Sequence, residues 1–278
     1  MLISGEKMDY VNINNLEIFA NHGVFPEENF LGQKFLVSAK MGVDIRKAGL
    51  SDDLNNTLNY GEICQYITDF MKNNTFKLIE TVVERLAEKM LLNFELLKSI
   101  ELTIKKPWAP IGLPLETASI TIKRSWHRAF IALGSNMGDS KAYLDNGLKS
   151  LNCDKIKVLK TSEYMVTKAY GYTDQPDFLN ACTMVDTLLT PHELLDRLHE
   201  IEKEAHRERI IRWGPRTLDL DIIFYDKLIF EDDELVIPHI DMENRDFVLF
   251  PMKEIAPNFR HPILNKTMTQ LSEQLSDR

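Results

Sequence analysis

The hydrophobic positions of the first 125 residues change period twice. From Asp9 to Phe19, Val11, Ile13, Leu16 and Ile18 alternate with polar neighbours around an interruption at Asn14 and Asn15, which predicts a broken strand. Residues 34–45 carry a long strict alternation, with Phe35, Val37, Ala39, Met41, Val43 and Ile45 on one face. The spacing then becomes helical. Ile63, Tyr66, Ile67 and Phe70 form one apolar stripe, and Val83, Leu86, Ala87, Met90 and Phe94 form a second. Two further alternating runs, "SIELTIK" and "TASITIK", complete an order of strand, strand, helix, helix, strand, strand. Neighbouring alternating strands of this kind pair antiparallel, with both helices on the apolar face.

The pattern restarts near Ser125. It predicts a strand at "AFIAL", a helix over 141–151, strands over 157–166 and 179–189, a helix from Pro191 to about Arg207, and a strand carrying Asp219 and Asp221. The helix at Pro191 has a full start signal: Thr190 as N-cap, Pro191 in the first turn, Glu193 closing a capping box, and a stripe of Leu194, Leu195, Leu198 and Ile201. The β-α-β-β-α-β order suggests a ferredoxin-like α/β sandwich with its helices on one face. At 278 residues the chain exceeds the usual single domain. The expected class is therefore α+β with two domains, 8–124 and 128–278.

Composition narrows the partners. With 44% hydrophobic and 27% charged residues the chain reads as globular, and a net charge of -9 argues against coating nucleic acid or an anionic membrane. Cys64, Cys153 and Cys182 show no ligand spacing and suit a reducing cytoplasmic compartment. No apolar stretch is long enough to span a bilayer, and no basic start followed by an apolar block suggests an export signal.

The local exception to the acidic balance is a group of four arginines, Arg207, Arg209, Arg212 and Arg216, just before the Asp-bearing strand. Asp219 and Asp221 share one face of that strand, their Cβ atoms roughly 6 to 7 Å apart. Alone, the pair reads as the wet side of an amphipathic strand. Beside four guanidiniums it suits a polyphosphate, whose oxygens would be shared between Mg²⁺ on the carboxylates and the arginines. A two-metal nuclease or polymerase site is the competing reading, disfavoured by the acidic balance and the lack of a basic stripe. The loop "GSNMGDSK" lacks the Gly-Lys-Ser/Thr ending of a phosphate-binding P-loop and reads as a tight strand-to-helix turn. In the first half, His22 reads as structural, and Glu27 and Glu28 as a solvated pair. Glu80 reads as a first-turn carboxylate favoured by the helix dipole, and Lys106 as a strand-end residue compatible with the surface.

Taken in order, "ALGSNMGD", "DQPDFLNA", "RWGPRTLDLDI" and "VIPHIDMENRDFVLFPMKEIAP" resemble hydroxymethyl-dihydropterin pyrophosphokinase over Ala129 to Arg278. The resemblance implies transfer of pyrophosphate from ATP to the hydroxymethyl group of a reduced pterin, releasing AMP. It implies two Mg²⁺ on Asp219 and Asp221, and triphosphate contacts from Arg207, Arg209, Arg216 and His239. Glu202 would lie on the ATP side, with Trp213 and Arg245 in closing loops. Thr167 and Asn180 would meet the pterin between Phe178 and Phe247. His206 stands where the family often has Gly, Ile240 where an aromatic is common, and Lys168 where Pro is frequent.

"NHGVFPEEN", "LNYGEI", "FKLIETVVERLAE" and "IKKPWAPI" resemble dihydroneopterin aldolase over Met8 to about Arg124. That implies a tunnelling-type fold (T-fold) and a retro-aldol cleavage giving glycolaldehyde, with no metal or Schiff base because the pterin ring accepts the electrons. Glu80 would anchor the ring, Lys106 would act in proton removal, Tyr60 in proton exchange, and Glu28 at the substrate hydroxyls. The family builds rings, so a homo-oligomer, tetramer or octamer, is implied. The "GLPLETASI" segment departs from the commoner pattern. The joint expectation is a bifunctional folate-pathway enzyme, lyase and transferase. The alternative is that one half serves only as a pterin-binding or oligomerisation module.

Overall fold

The computed structural model describes residues 8–169, 174–206 and 214–277. By internal contacts the chain divides into two mixed α/β units, Met1–Trp126 and His127–Arg278.

The first unit runs β1 (Asp9–Ala20), α1 (Pro26–Leu31), β2 (Gln33–Val43), α2 (Arg46–Ser51), α3 (Tyr60–Asn73), α4 (Ile79–Asn93), β3 (Ser99–Lys106) and β4 (Ala118–Ser125). Its four strands form one antiparallel sheet in chain order, β1-β2-β3-β4. The interruption in the first strand is a register shift between Ile13 and Leu16, with Asn15 at a φ of 52°. Phe35, Val37, Ala39, Met41 and Val43 are all buried, as are Ile63, Ile67 and Met71 of α3 and Val83, Leu86, Ala87 and Met90 of α4. Each of these side chains other than the two alanines contributes roughly 1.5 to 3 kcal/mol on burial. Ile45, expected on the same face, lies beyond the strand end and is exposed. Asn59 caps α3 by accepting from Gly61 N and Glu62 N.

The second unit runs β5 (His127–Ser135), α5 (Ser140–Leu151), β6 (Ile156–Thr161), β7 (Met165–Thr167), β8 (Phe178–Thr187), α6 (Pro191–Glu204), β9 (Asp219–Tyr225), β10 (Phe230–Glu231), β11 (Val236–Ile237), α7 (Asp246–Ile255) and α8 (Met268–Ser276). The main sheet has the order β6-β8-β5-β9, with β7 also on β8, and every pairing is antiparallel. The run expected as one strand over 157–166 is split into β6 and β7. Thr161 pairs with Thr183 and Met165 with Asn180, so one residue too many lies between the two pairings.

The expectation of helices on one face is corrected. Ala129, Ile131, Leu133, Leu218, Leu220 and Ile222 pack with Leu144, Leu151, Leu194, Leu198 and Ile201 of α5 and α6. Phe130, Cys182, Ile223 and Phe224 pack with Val248, Leu249, Met252 and Ile255 of α7 and Met268 and Leu271 of α8. The sheet is thus covered on both sides, which explains why β5 is apolar at consecutive rather than alternate positions. The predicted capping box of α6 is formed, Thr190 N donating to the Glu193 carboxylate at 2.8 Å.

His206 follows α6 with a φ of 56° and is exposed. A side chain in this left-handed region is disfavoured by about 1 kcal/mol, which accounts for the Gly that the resemblance expects there. His206→Gly is expected to stabilise the second unit by up to about 1 kcal/mol, read as a raised urea midpoint at unchanged slope. A lowered midpoint contradicts this. Among the described residues no helix is long and apolar enough to cross a membrane.

Candidate active sites

In the first unit the chemistry gathers where α1 meets the end of β3. Glu28 and Lys106 retain 8% and 9% of their surface. Lys106 Nζ stands 2.5 Å from Glu28 Oε1, and Gln33 Nε2 donates to the same oxygen at 2.9 Å. Glu28 Oε2 accepts from Phe25 N at 3.0 Å. Burial alone raises the Glu28 pKa, but the bonds from Lys106, Phe25 N–H and Gln33 outweigh it and hold the carboxyl below its usual range. The reading of Glu27 and Glu28 as a solvated pair therefore applies only to Glu27, and Lys106 is no surface lysine. Their contact joins residues 78 positions apart, which no local pattern reports.

Gly23 is required here by close approach, since a Cβ on it would stand 2.3 Å from Glu28 Cδ. Its N–H donates to Phe76 O at 3.0 Å, while Phe76 N donates to Nδ1 of the buried His22 at 3.2 Å. Three of the four motif segments of this half, those carrying His22, Phe76 and Lys106, thus converge. Tyr60 and Glu80 lie in the first turns of α3 and α4, both exposed, Tyr60 at 67%. Among the described residues no hydrogen bond joins either to the Glu28–Lys106 pair.

The burial of His22 and its bond from Phe76 N agree with a structural reading. Burial drives its pKa down to about 4, the Lys106 charge adds to this, and a backbone contact with Met71 opposes it. Unfolding lets His22 take a proton at its ordinary 6.5, so between pH 6.5 and 4 the unfolded chain binds more protons and stability falls as pH falls. The expected loss is about 3 kcal/mol over that window. Glu28 adds a loss only below its ordinary 4.5. Urea midpoints of the first unit between pH 7 and about 4 check this. A flat profile above about pH 5 contradicts it.

In the second unit three strands meet in register at Gly134, which pairs with Asn180 of β8 on one side and Asp219 of β9 on the other. A Cβ on Gly134 would lie 3.0 Å from Asn180 Oδ1, 3.7 Å from Phe178 and 4.0 Å from Asp219 Cβ. The glycine leaves open the floor between these side chains. Asn180 is buried and donates to Thr167 Oγ1 at 2.7 Å. Arg216 Nη1 stands 2.6 Å from Asp219 Oδ2. Leu218, Leu220 and Ile222 are buried beneath α5 and α6, as periodicity predicted, and Asp219 and Asp221 are half-buried on the other face.

Glu202 is buried, with Oε1 accepting from Leu220 N at 2.8 Å, so it holds the backbone between the two aspartates. His239 is half-buried and bonds through its backbone N–H to Ile223 O at 3.0 Å, beside the same strand. The Arg245 guanidinium lies 5.9 Å from the ring centroid of Phe247 and 3.6 Å from Asp241 Oδ2. Phe178 and Phe247 are half-buried. Arg207, Arg209, Arg212 and Trp213 lie outside the described residues.

Asn136 was read only as part of a turn. Its side chain instead bonds to Gln175, Pro176 and Arg216, three partners from two other motifs. The available signal was its place in a motif whose turn already had Gly138 and the N-cap Asp139. Two carboxylates on one strand face supply hard oxygen donors, the set that suits Mg²⁺ sharing its remaining positions with water and phosphate. The residues present thus fit the ion.

A family model described as 7,8-dihydro-6-hydroxymethylpterin-pyrophosphokinase matches residues 130–257, and one described as dihydroneopterin aldolase matches residues 11–123. The folic acid synthesis protein of Dictyostelium discoideum is 30% identical over 296 residues, covering 96% of this chain and 45% of that protein. The chain therefore spans less than half the length of that relative. The 2-amino-4-hydroxy-6-hydroxymethyldihydropteridine pyrophosphokinase of Haemophilus influenzae is 42% identical over 150 residues, covering 54% of this chain and 93% of that protein. Among solved structures, an E. coli dihydroneopterin aldolase in complex with neopterin is 30% identical with a TM-score of 0.40, covering 42% of this chain and 100% of that one.

Proposed function

We propose that the chain, which belongs to the hydroxymethyl-dihydropterin pyrophosphokinase family through its second half and matches the dihydroneopterin aldolase family model through its first, catalyses both reactions in sequence. The domains are 8–124, with a T-fold, and 128–278, ferredoxin-like, a reading that the β6-β8-β5-β9 strand order supports. The observation carrying the proposal is that each unit gathers its own reactive set: the buried Glu28–Lys106 pair in one, and the row Asn180, Gly134, Asp219 in the other.

In the first domain Glu80 holds the pterin through its amino group and ring N–H. Lys106, once it has released its own proton to solvent, takes the side-chain hydroxyl proton through water, and Glu28 orients the hydroxyl groups. The carbon–carbon bond then breaks, its electrons pass into the ring, and glycolaldehyde leaves. Tyr60 exchanges the proton that completes the pterin product. The exposure of Tyr60 and Glu80 supports a site closed by a second copy, in a cytoplasmic tetramer or octamer.

In the second domain Phe178 and Phe247 stack on the pterin while Asn180, steadied by Thr167, fixes its edge. Asp219 and Asp221 would hold two Mg²⁺, which when bound neutralise the triphosphate. Arg216, with Arg207, Arg209 and His239, binds the phosphates. Glu202 acts on the ATP side at one remove, by fixing β9. Trp213 and Arg245 close over the substrates. The hydroxymethyl oxygen attacks the β-phosphorus, and AMP leaves.

Two assays test the halves separately: glycolaldehyde from dihydroneopterin without ATP, and AMP from hydroxymethyl-dihydropterin with ATP and Mg²⁺. Both products are expected. Absence of one reduces its half to a binding or assembly module.

A further inference from the structure

Asn136 lies one residue past β5, is 5% exposed, and has no part in the chemistry just described. Its Nδ2 donates to Gln175 Oε1 at 3.0 Å and to Pro176 O at 3.1 Å. Its Oδ1 accepts from Arg216 N at 2.8 Å, and its own backbone N–H donates to Arg216 O at 3.1 Å. A carbonyl can only accept and a backbone N–H can only donate, so these partners fix which way round the amide stands. The turn itself has no need of this side chain, because Asp139 caps α5 through Ala142 N. Both partner segments lead directly into reactive positions. Gln175 and Pro176 precede Phe178 and Asn180, while Arg216 is three residues before its ion-pair partner Asp219.

We propose that Asn136 is a positioning residue for pyrophosphoryl transfer, setting the distance between the segment that holds the pterin and the segment that holds the phosphates. The proposal rests on the pyrophosphokinase reading of the second domain. In-line transfer depends steeply on the approach of the two reacting atoms, and a misplacement of about 1 Å lowers the rate roughly 100-fold. On this proposal Asn136 acts through Gln175, Pro176 and Arg216 rather than on either substrate, so its effect falls on the rate rather than on the binding of either ligand alone.

Two variants separate its arms. Asn136→Ala loses all three side-chain bonds and is expected to lower kcat for AMP formation roughly 100-fold, with both KM values within about threefold. Asn136→Asp keeps the shape and the acceptor for Arg216 N but cannot donate to Gln175 or Pro176. It is expected to lower kcat by a smaller factor, roughly tenfold, again with both KM values within about threefold. Circular dichroism confirms folding, and if the Ala variant does not fold the Asp variant decides alone. Unchanged kcat per folded molecule in either variant, or a loss carried by KM rather than by kcat, overturns the proposal. Parent protein that forms no AMP overturns the pyrophosphokinase reading itself, a failure visible before either variant is made.

Discussion

Asp219→Asn is expected to lower AMP formation by about 10³-fold and to leave glycolaldehyde release within about twofold of the parent chain. The substituted amide has nearly the same shape and still accepts from Arg216, which stands 2.6 Å from Asp219 Oδ2, so the fold of β9 is retained. What is lost is one of the two negative charges on that strand face. A hard divalent ion held by two carboxylates and phosphate oxygens binds far more weakly to one carboxylate and an amide. The Arg216 guanidinium also loses its counter-charge. The first unit shares none of these residues and keeps its own pair, Glu28 and Lys106. Parallel assays of AMP and glycolaldehyde on one folded preparation check both halves of the expectation. Equal loss of both activities contradicts separate sites.

The mirror-image result is expected at the other end of the chain. Lys106→Met abolishes glycolaldehyde release, by roughly 10² to 10⁴-fold, leaves AMP formation intact, and destabilises the first unit by about 3 kcal/mol. The destabilisation arises because Glu28 stays buried with Phe25 N and Gln33 as its remaining donors. Two consequences separate this from loss of packing. Adding Glu28→Gln to Lys106→Met removes the stranded charge and is expected to recover most of the stability but none of the activity. Acidification acts in the same direction. In the parent the ion pair holds the Glu28 carboxyl low, so its stabilisation is present above 4.5 and lost as pH falls through the folded pKa. In Lys106→Met the largest lowering cause is gone and burial is opposed only by the Phe25 N–H and Gln33 bonds, so the stability cost of the charged carboxylate is present at neutral pH and is expected to shrink as Glu28 takes a proton. Urea midpoints of both variants against pH check this. A single variant as stable as the parent at pH 7 contradicts a structural role for the pair.

Local periodicity carried much of the fold. The inward face of β2, the stripes of α3 and α4, and the capping box of α6 all follow from spacing and cap chemistry. Periodicity also placed Asp219 and Asp221 opposite Leu218, Leu220 and Ile222, but it fails one residue later. The ladder with β5 shifts register between Phe130 and Ile131, leaving Ile223 as an extra residue, so Ile223 and Phe224 both join the core under α7 and α8. Those two helices were not predicted as elements, although the resemblance motif that contains α7 was noted. Pro251 within α7 and the short length of α8 blur the helical signal. The charge pairing of the first site was illegible for a different reason: Glu28 and Lys106 meet only through the tertiary fold, and each alone looks like a surface residue. Asn136 was hidden because a turn already explains an asparagine in "GSNMGD".

Mass spectrometry of the purified chain given dihydroneopterin, ATP and Mg²⁺ tests the central claim most directly, since on the proposed function the second domain then receives its pterin only from the first. The account predicts glycolaldehyde, the hydroxymethyl-dihydropterin pyrophosphate and AMP, with the last two absent from Lys106→Met unless hydroxymethyl-dihydropterin is supplied. Substrate recovered unchanged, with no product of either kind, contradicts it.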